Sequence, residues 1–364
     1  MIQRIVLLFV VFAGQVNGQF YLEKSPKISA LGKTDSSELC YVANNTRDYL
    51  NNKTGDKFAV HAGKIFNEEI TITRVKSTLA WLCYIAKEDE KSGQDRLNDI
   101  EFLRQHFDFY RWFPDKATAA EWAANSSNKV KQRLLRNIPA DQLFITKYYT
   151  KLLNASAAKT PTFNQAIYGL PFDEQDLSLK EADDNPMLTR HRFTRQQIIA
   201  GALKGLAPPL MWITEDALHD VLLQGTGVVD IDGKRRYFNV HRNNGIAYDY
   251  AKGKKEQARY WYFAEVPSIL GYGERLADKI PIRPYVTFAG NVESLGLGKL
   301  FYTQMDTVQG KIGYLGILAD QGGAFDGNLF QLDFLVGSYF GWQDYYQANK
   351  YLPDYAATWL VLKK

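Results

Sequence analysis

The stretch YLGILADQGGAFDGNLFQLDFLVG, Tyr314 to Gly337, decides how this chain is read. Its first part, Tyr314-Leu315-Gly316-Ile317-Leu318, is an apolar run of strand length that gives way to Asp320. Gly322 and Gly323 follow and supply backbone freedom that few other residues allow. A second apolar run, Leu332 to Val336, carries one carboxylate, Asp333, between Leu332 and Phe334. An acid in such a setting is costly to ionise, so its pKa is expected to rise. A carboxyl that still holds its proton near neutral pH is what a general acid requires. The plainer alternative makes Asp320 a turn residue and Asp333 an outward-pointing side chain on a half-exposed strand, since Asp is common in turns.

The chain has 364 residues, 46% of them hydrophobic and 14% aromatic, which is enough for a large core and predicts two domains. Its 22 Tyr and 21 Phe suit a sheet-rich protein or a carbohydrate binder. A net charge of +4 with no long basic run gives no indication of nucleic-acid binding. At the N-terminus, Arg4 precedes an uninterrupted apolar run from Ile5 to Ala13, and Val16-Asn17-Gly18 leads to Gln19. This pattern predicts a secretory signal peptide over residues 1–18, too short for a comfortable membrane span. No Cys follows it to carry a lipid, so the mature protein is expected to be exported and soluble, periplasmic or secreted. Cys40 and Cys83 are compatible with a disulfide or with two buried thiols. The five His are scattered without ligand spacing, so a zinc site is not expected.

Along the chain, residues 20–55 read as a polar, loosely ordered lead-in, and Ala62 to Lys87 as helical. The charged run Lys87 to Lys91 reads as a solvated helix end or loop. Ile100 to Tyr110 and Ala117 to Arg136 are further packing helices. Strand-like sequence begins at Phe144 and includes Tyr148 and Tyr149, whose rings offer planes for sugars or for a core. Residues 173–190 read as a surface loop, and Thr194 to Gln197 as a capping box. Leu222 to Val229 reads as a strand kinked at Gly225 and Gly227, followed by an Asp232-Gly233 hairpin turn and by Asn243-Asn244-Gly245. Two more strands surround a loop between Tyr285 and Tyr302, and Ala357 to Leu362 closes the chain as a strand.

In this order, Gln224-Gly225-Thr226-Gly227, Asp232-Gly233, Asn244-Gly245, Asp320-Gln321-Gly322-Gly323-Ala324 and Leu332-Asp333-Phe334 resemble the membrane-bound lytic transglycosylase A family. The segment Thr146-Lys147-Tyr148-Tyr149 is similar to that family's Thr-Gly-Tyr-Tyr motif, with Lys147 in place of Gly. The resemblance covers roughly residues 100–364 and thins between Lys252 and Lys279. It implies a mainly β fold with N-terminal helices (α+β), built on a double-psi β-barrel with a smaller inserted β-barrel domain. The glycan would lie in the groove between them. The expected division is residues 19–150 and 276–364 for the barrel domain and 151–275 for the insert.

The resemblance further implies a monomeric enzyme that cleaves the β-1,4 bond after N-acetylmuramic acid in peptidoglycan, leaving a 1,6-anhydro end and using no metal or cofactor. Asp333 would be the catalytic acid, supported by Asp320. Tyr148, Tyr149, Gln224, Gly225, Thr226, Gly227, Asn244, Gly322 and Gly323 would bind glycan strands. Asn291 would too, at a position where the family commonly has a third Asp. Asn291 and the shortened 252–279 region motivate one alternative, a weakened barrel that only binds peptidoglycan. Another is a hydrolase pairing Asp333 with Asp320 or Asp326 as a second carboxylate.

Overall fold

The computed structural model describes residues 19–322 and 325–364; the expected signal peptide and Gly323 lie outside the described residues. Strands β1 (Gln19–Leu22) and β2 (Leu31–Gly32) lead into helices α1 (Ser36–Asn52), α2 (Ile72–Ser92) and α3 (Ile100–His106). Strand β3 (Phe107–Phe113), helices α4 (Lys116–Asn125) and α5 (Lys129–Arg136), and the long β4 (Leu143–Leu153) follow. Next come β5 (Gln165–Tyr168), α6 (Leu179–Asp183), α7 (Arg195–Ile199), β6 (Pro209–Ile213), α8 (Glu215–Gln224), β7 (Thr226–Ile231), β8 (Lys234–Asn243) and β9 (Trp261–Val266). The last part holds β10 (Ile269–Leu270), β11 (Pro281–Ile282), β12 (Thr287–Ala289), α9 (Val292–Leu295) and β13 (Leu300–Thr307). It ends with β14 (Gly310–Asp320), β15 (Gln331–Tyr339), α10 (Trp342–Asn349) and β16 (Tyr355–Lys363).

Six strands close on themselves in the order β16-β13-β14-β12-β15-β4, and β4 pairs back to β16 through Phe144 and Tyr355. The β12–β14 and β15–β4 contacts are parallel and the other four antiparallel. Closure removes exposed strand edges, and alternate side chains fill the inside. Ile145, Phe288, Phe301, Ile317, Leu332 and Phe334 are among those that do so. The expected class holds: mainly β with N-terminal helices, around a closed barrel.

The N-terminal region departs from the sequence reading. Residues 20–55 contain a 17-residue helix, α1, in place of a loose lead-in. Asp35 caps it by accepting from the amides of Ser37 and Glu38, and Leu39, Val42, Ala43 and Leu50 bury one face. The helix expected from Ala62 starts instead at Ile72, behind the Thr71 cap, and runs through the charged 87–91 segment to Gly93. A disulfide between Cys40 and Cys83 ties α1 to α2. The helix expected through Tyr110 stops at His106, and Phe107 to Phe113 pairs with β16 and β1 as strand β3. The single helix expected over 117–136 is two, because Asn128 caps a second start.

Strand β4 is shared. Its first part pairs with β15 in the barrel; Lys151 to Leu153 pair with Gly227 to Val229 on β7, and the sheet continues into β8 and β9. This insert has its own core, including Leu153, Ile167, Met211, Val229, Phe238 and Tyr262. The 173–190 segment is not simply surface. Glu174 is wholly buried there, and Arg190 Nε donates to it at 2.9 Å. The strand expected from Leu222 begins only at Thr226, because 215–224 is helix α8. Gly225 ends that helix at φ 83°, a left-handed conformation that glycine adopts without penalty. The expected turn is present: Asp232 and Gly233, both at positive φ, join β7 to β8.

Candidate active site

Ala289 on β12 faces Asp320 on β14 and Asp333 on β15, one strand to either side. Residues at one level of neighbouring strands point to one face, so the two carboxylates flank a single methyl group. Leu332 and Phe334 fill the barrel, which turns the intervening Asp333 outward. The strand reading placed Asp333 on a buried surface, and the barrel adds Asp320 beside it.

Burial raises the Asp333 pKa to about 7, the charge of Asp320 pushes the same way, and Thr146 and Lys147 pull back only partly. Its Oδ1 is buried without a hydrogen-bond partner. A bare buried carboxylate oxygen favours the protonated form. Thr146, opposite Asp333 on β4, is held by Gln331 Nε2, which donates to its hydroxyl at 2.7 Å. Asp320 is better provided for. Tyr148 Oη and the Gln321 amide each donate to it at 2.8 Å. Burial still raises its pKa to about 6, against the lowering by these bonds and by Lys279. The pair is therefore graded, with Asp333 the stronger proton holder.

One groove reaches Asp320 and a second reaches Thr146, the partner of Asp333. One of about 440 Å3 opens at Asp320, lined by Asp56, Tyr272, Glu274, Lys279, Gln321 and Gly322. Another of about 460 Å3 starts at Thr146 and runs along α10. Tyr272 and Tyr49 both donate to Asp56, at 3.0 and 2.9 Å, so α1 and its following loop help build the first groove.

Residues 144–253 match the family model described as the MltA specific insert domain. The whole fold is similar to solved structures of that group. E. coli MltA with bound chitohexaose matches at TM-score 0.54 and 15% identity, over 96% of this chain and 95% of the other. MltA from Neisseria gonorrhoeae matches at 0.53 and 15%, over 91% and 88%. The lytic transglycosylase LtgG of Burkholderia pseudomallei matches at 0.50 and 17%, over 96% and 98%. Residues 144–253 thus carry an MltA-type insert domain, and the fold as a whole is that of the MltA structures. No curated protein matches it by sequence.

Within this MltA fold the residues singled out in the sequence separate into two groups. Asp320, Asp333, Tyr148 and Gly322 come together at the barrel face. Tyr149 turns away from Tyr148 and stacks on Tyr345 of α10, 4.7 Å between ring centroids. Asn291 is buried and caps α9, accepting from the Ser294 amide at 2.9 Å. In the MltA insert, Thr226 is buried and accepts from Asn239 Nδ2 at 2.8 Å. Asn244 is buried too and joins three backbone positions, Phe193, Ala258 and Tyr260. Gly227 packs against Leu153 and Val221, Gly225 closes α8, and Gln224 is exposed at that helix's end. Asp326 is exposed on the connecting loop. Thr146 entered the sequence reading only as the first residue of the Thr-Lys-Tyr-Tyr motif, and Lys279, Asp56 and Tyr272 had no sequence signal. Their place follows from strand pairing and from the packing of α1.

Proposed function

We propose that this chain is a lytic transglycosylase acting on peptidoglycan. The observation that carries the reading is Asp333: an outward-facing carboxyl with an orphaned oxygen and a pKa near neutrality, beside a second acid. The neighbouring folds named as lytic transglycosylases, and the chitohexaose held by the E. coli relative, support glycan as the ligand. In the proposed reaction, protonated Asp333 gives its proton to the glycosidic oxygen as the bond from C1 to that oxygen breaks. The muramic acid 6-hydroxyl oxygen bonds to C1, and its proton passes to the Asp333 carboxylate. The acid is regenerated, no water is consumed, and the product ends in a 1,6-anhydro ring. One carboxyl suffices because the substrate brings its own nucleophile, whereas a conventional glycosidase employs two. Asp320, ionising first, keeps the Asp333 proton in place by its charge.

Residues 151–275 form the insert and the flanking segments the barrel domain in this proposal, with glycan lying between them. The Cys40–Cys83 disulfide suits the oxidising compartment that an exported protein meets. No described helix is long and apolar enough to cross a membrane. The deciding experiment is mass spectrometry of purified peptidoglycan digested with the wild type and with Asp333→Asn. Anhydromuropeptides from the wild type alone are expected. Reducing-end products point to a hydrolase, and binding without product points to the glycan-binding alternative.

A further inference from the structure

Helix α10 presents two large aromatic side chains to solvent, Trp342 and Tyr346, 69% and 50% exposed. They are four residues apart and so share a face of the helix. Their ring planes lie within 24° of each other and their centroids 6.1 Å apart, an offset pair of nearly parallel plates. The residue between them in the helical stack, Tyr345, points inward. It packs on Tyr149 and Tyr339, and its hydroxyl donates to the Lys147 carbonyl at 3.4 Å. The helix is thus anchored to β4 and β15 through Tyr345, against which Trp342 packs at 5.3 Å between centroids, while Trp342 and Tyr346 stay largely open to solvent.

The exposed pair lines the groove that starts at Thr146, where Lys147, Asn349, Lys350 and Asp354 supply polar groups. The two lysines already have partners: Lys147 donates to the Pro353 carbonyl at 2.7 Å and to Asp354 at 3.2 Å, and Lys350 to Gln347 at 2.8 Å. Lys147 is paired with the Asp354 carboxylate and Lys350 with a neutral amide, so most of the groove's polar groups are hydrogen-bonded within it, which suits a hydroxyl-rich ligand. Aromatic plates bordered by donors and acceptors match a pyranose, which has an apolar C–H face and polar edges. Thr146 provides continuity, because it lines this groove and also touches Asp333.

The geometry points to a sugar-stacking subsite on α10, in which Trp342 and Tyr346 hold a ring of the β-1,4 glycan remote from the bond at Asp333. This rests on the glycan-cleaving reading above and adds where the chain runs beyond the reacting bond. Its test uses binding, so that it does not depend on which product the enzyme makes.

In an Asp333→Asn background, affinities for chitooligosaccharides of two to six sugars are measured by calorimetry, with and without Trp342→Ala and Tyr346→Ala together. The double variant is expected to lose about tenfold in affinity for the six-sugar chain and to leave the two-sugar ligand unaffected. Trp342→Phe with Tyr346→Phe should retain most of the long-chain affinity, since a planar ring remains. Equal affinity for the long chain with and without the Ala pair overturns the subsite. So does an equal loss for long and short ligands. A concentration-dependent dimer abolished by the Ala pair, with glycan affinity unchanged, would assign the patch to self-association and also overturn it. Loss of long-chain affinity together with absence of anhydro product from the wild type would keep the subsite and refute the transglycosylase reading.

Discussion

Asp333 combines an unpartnered oxygen with an acidic neighbour, and both features make ionisation expensive. Its folded pKa, near 7, lies above the ordinary carboxyl value, so the folded state holds a proton that the unfolded chain releases. The associated stability is complete below about pH 4 and is lost as pH rises through about 7. Asp333→Asn should therefore stabilise the fold above neutrality by about 1–3 kcal/mol, allowing for partial solvent contact, and have little effect near pH 4. Thermal unfolding of both proteins at pH 4 and pH 8 checks this, and equal shifts at the two values would contradict it. The same substitution should cost at least 100–10,000-fold in turnover, roughly the share carried by general acid–base transfer. Release of soluble muropeptides measures that loss. Asp320→Asn makes a separate statement: without the neighbouring charge, Asp333 should ionise at lower pH. The alkaline limb of kcat/KM against pH should then move to lower pH, and an unmoved limb would uncouple the two acids.

At the scale of elements, the disulfide joins α1 and α2 across a sequence separation of 43 residues. Closing a loop of that length restricts the unfolded chain, and Cys40→Ala with Cys83→Ala should lower the unfolding free energy by about 2–4 kcal/mol. Urea titration of the oxidised protein and of the double variant reads this directly. The effect should reach the active site, since Asp56 follows α1 and shares the groove at Asp320. Strand β4 has a different task. One continuous strand gives Thr146 and Tyr148 to the acids and Lys151 to Leu153 to the insert, so the two bodies are joined through a shared backbone.

For the whole molecule, the proposed function places glycan between insert and barrel, so the contacts that join the two bodies are where it can be tested. Lys151 Nζ donates to Asp220 of α8 at 2.7 Å and to the Phe340 carbonyl beyond β15, and Lys254 donates to the same Asp220 at 2.6 Å. This strut crosses from one body to the other without touching the acids. Asp220→Ala should cost about 1 kcal/mol of stability and raise KM several-fold with kcat nearly unchanged, because the groove loosens while the acids stay in place. A fall in kcat alone would contradict that assignment.

Much of the barrel was legible in the sequence. Strands buried on both faces read as apolar runs, and Asp333 stood out as an acid set into such a run. Motif order along the chain indicated the MltA-like fold and the insert. Helix α1 was missed because its apolar positions are interleaved with Asn, Arg and Asp, and only packing against α2 and β14 rewards that face. Thr226 and Asn244, expected at glycan, hold the insert together, since a glycine-flanked polar residue reads alike at a ligand and at a buried turn. Wholly buried Lys299, with its pKa brought down to about 7, gave no signal either. The sequence by itself marked β14 and β15 as apolar runs and singled out Asp333, the acid on which the proposed chemistry rests. Only the tertiary structure decided which groups surround it. Barrel closure sets Asp320 across Ala289 from Asp333 and brings Thr146 from a segment almost two hundred residues earlier. Local pattern carries no information about neighbours that meet only when the barrel closes.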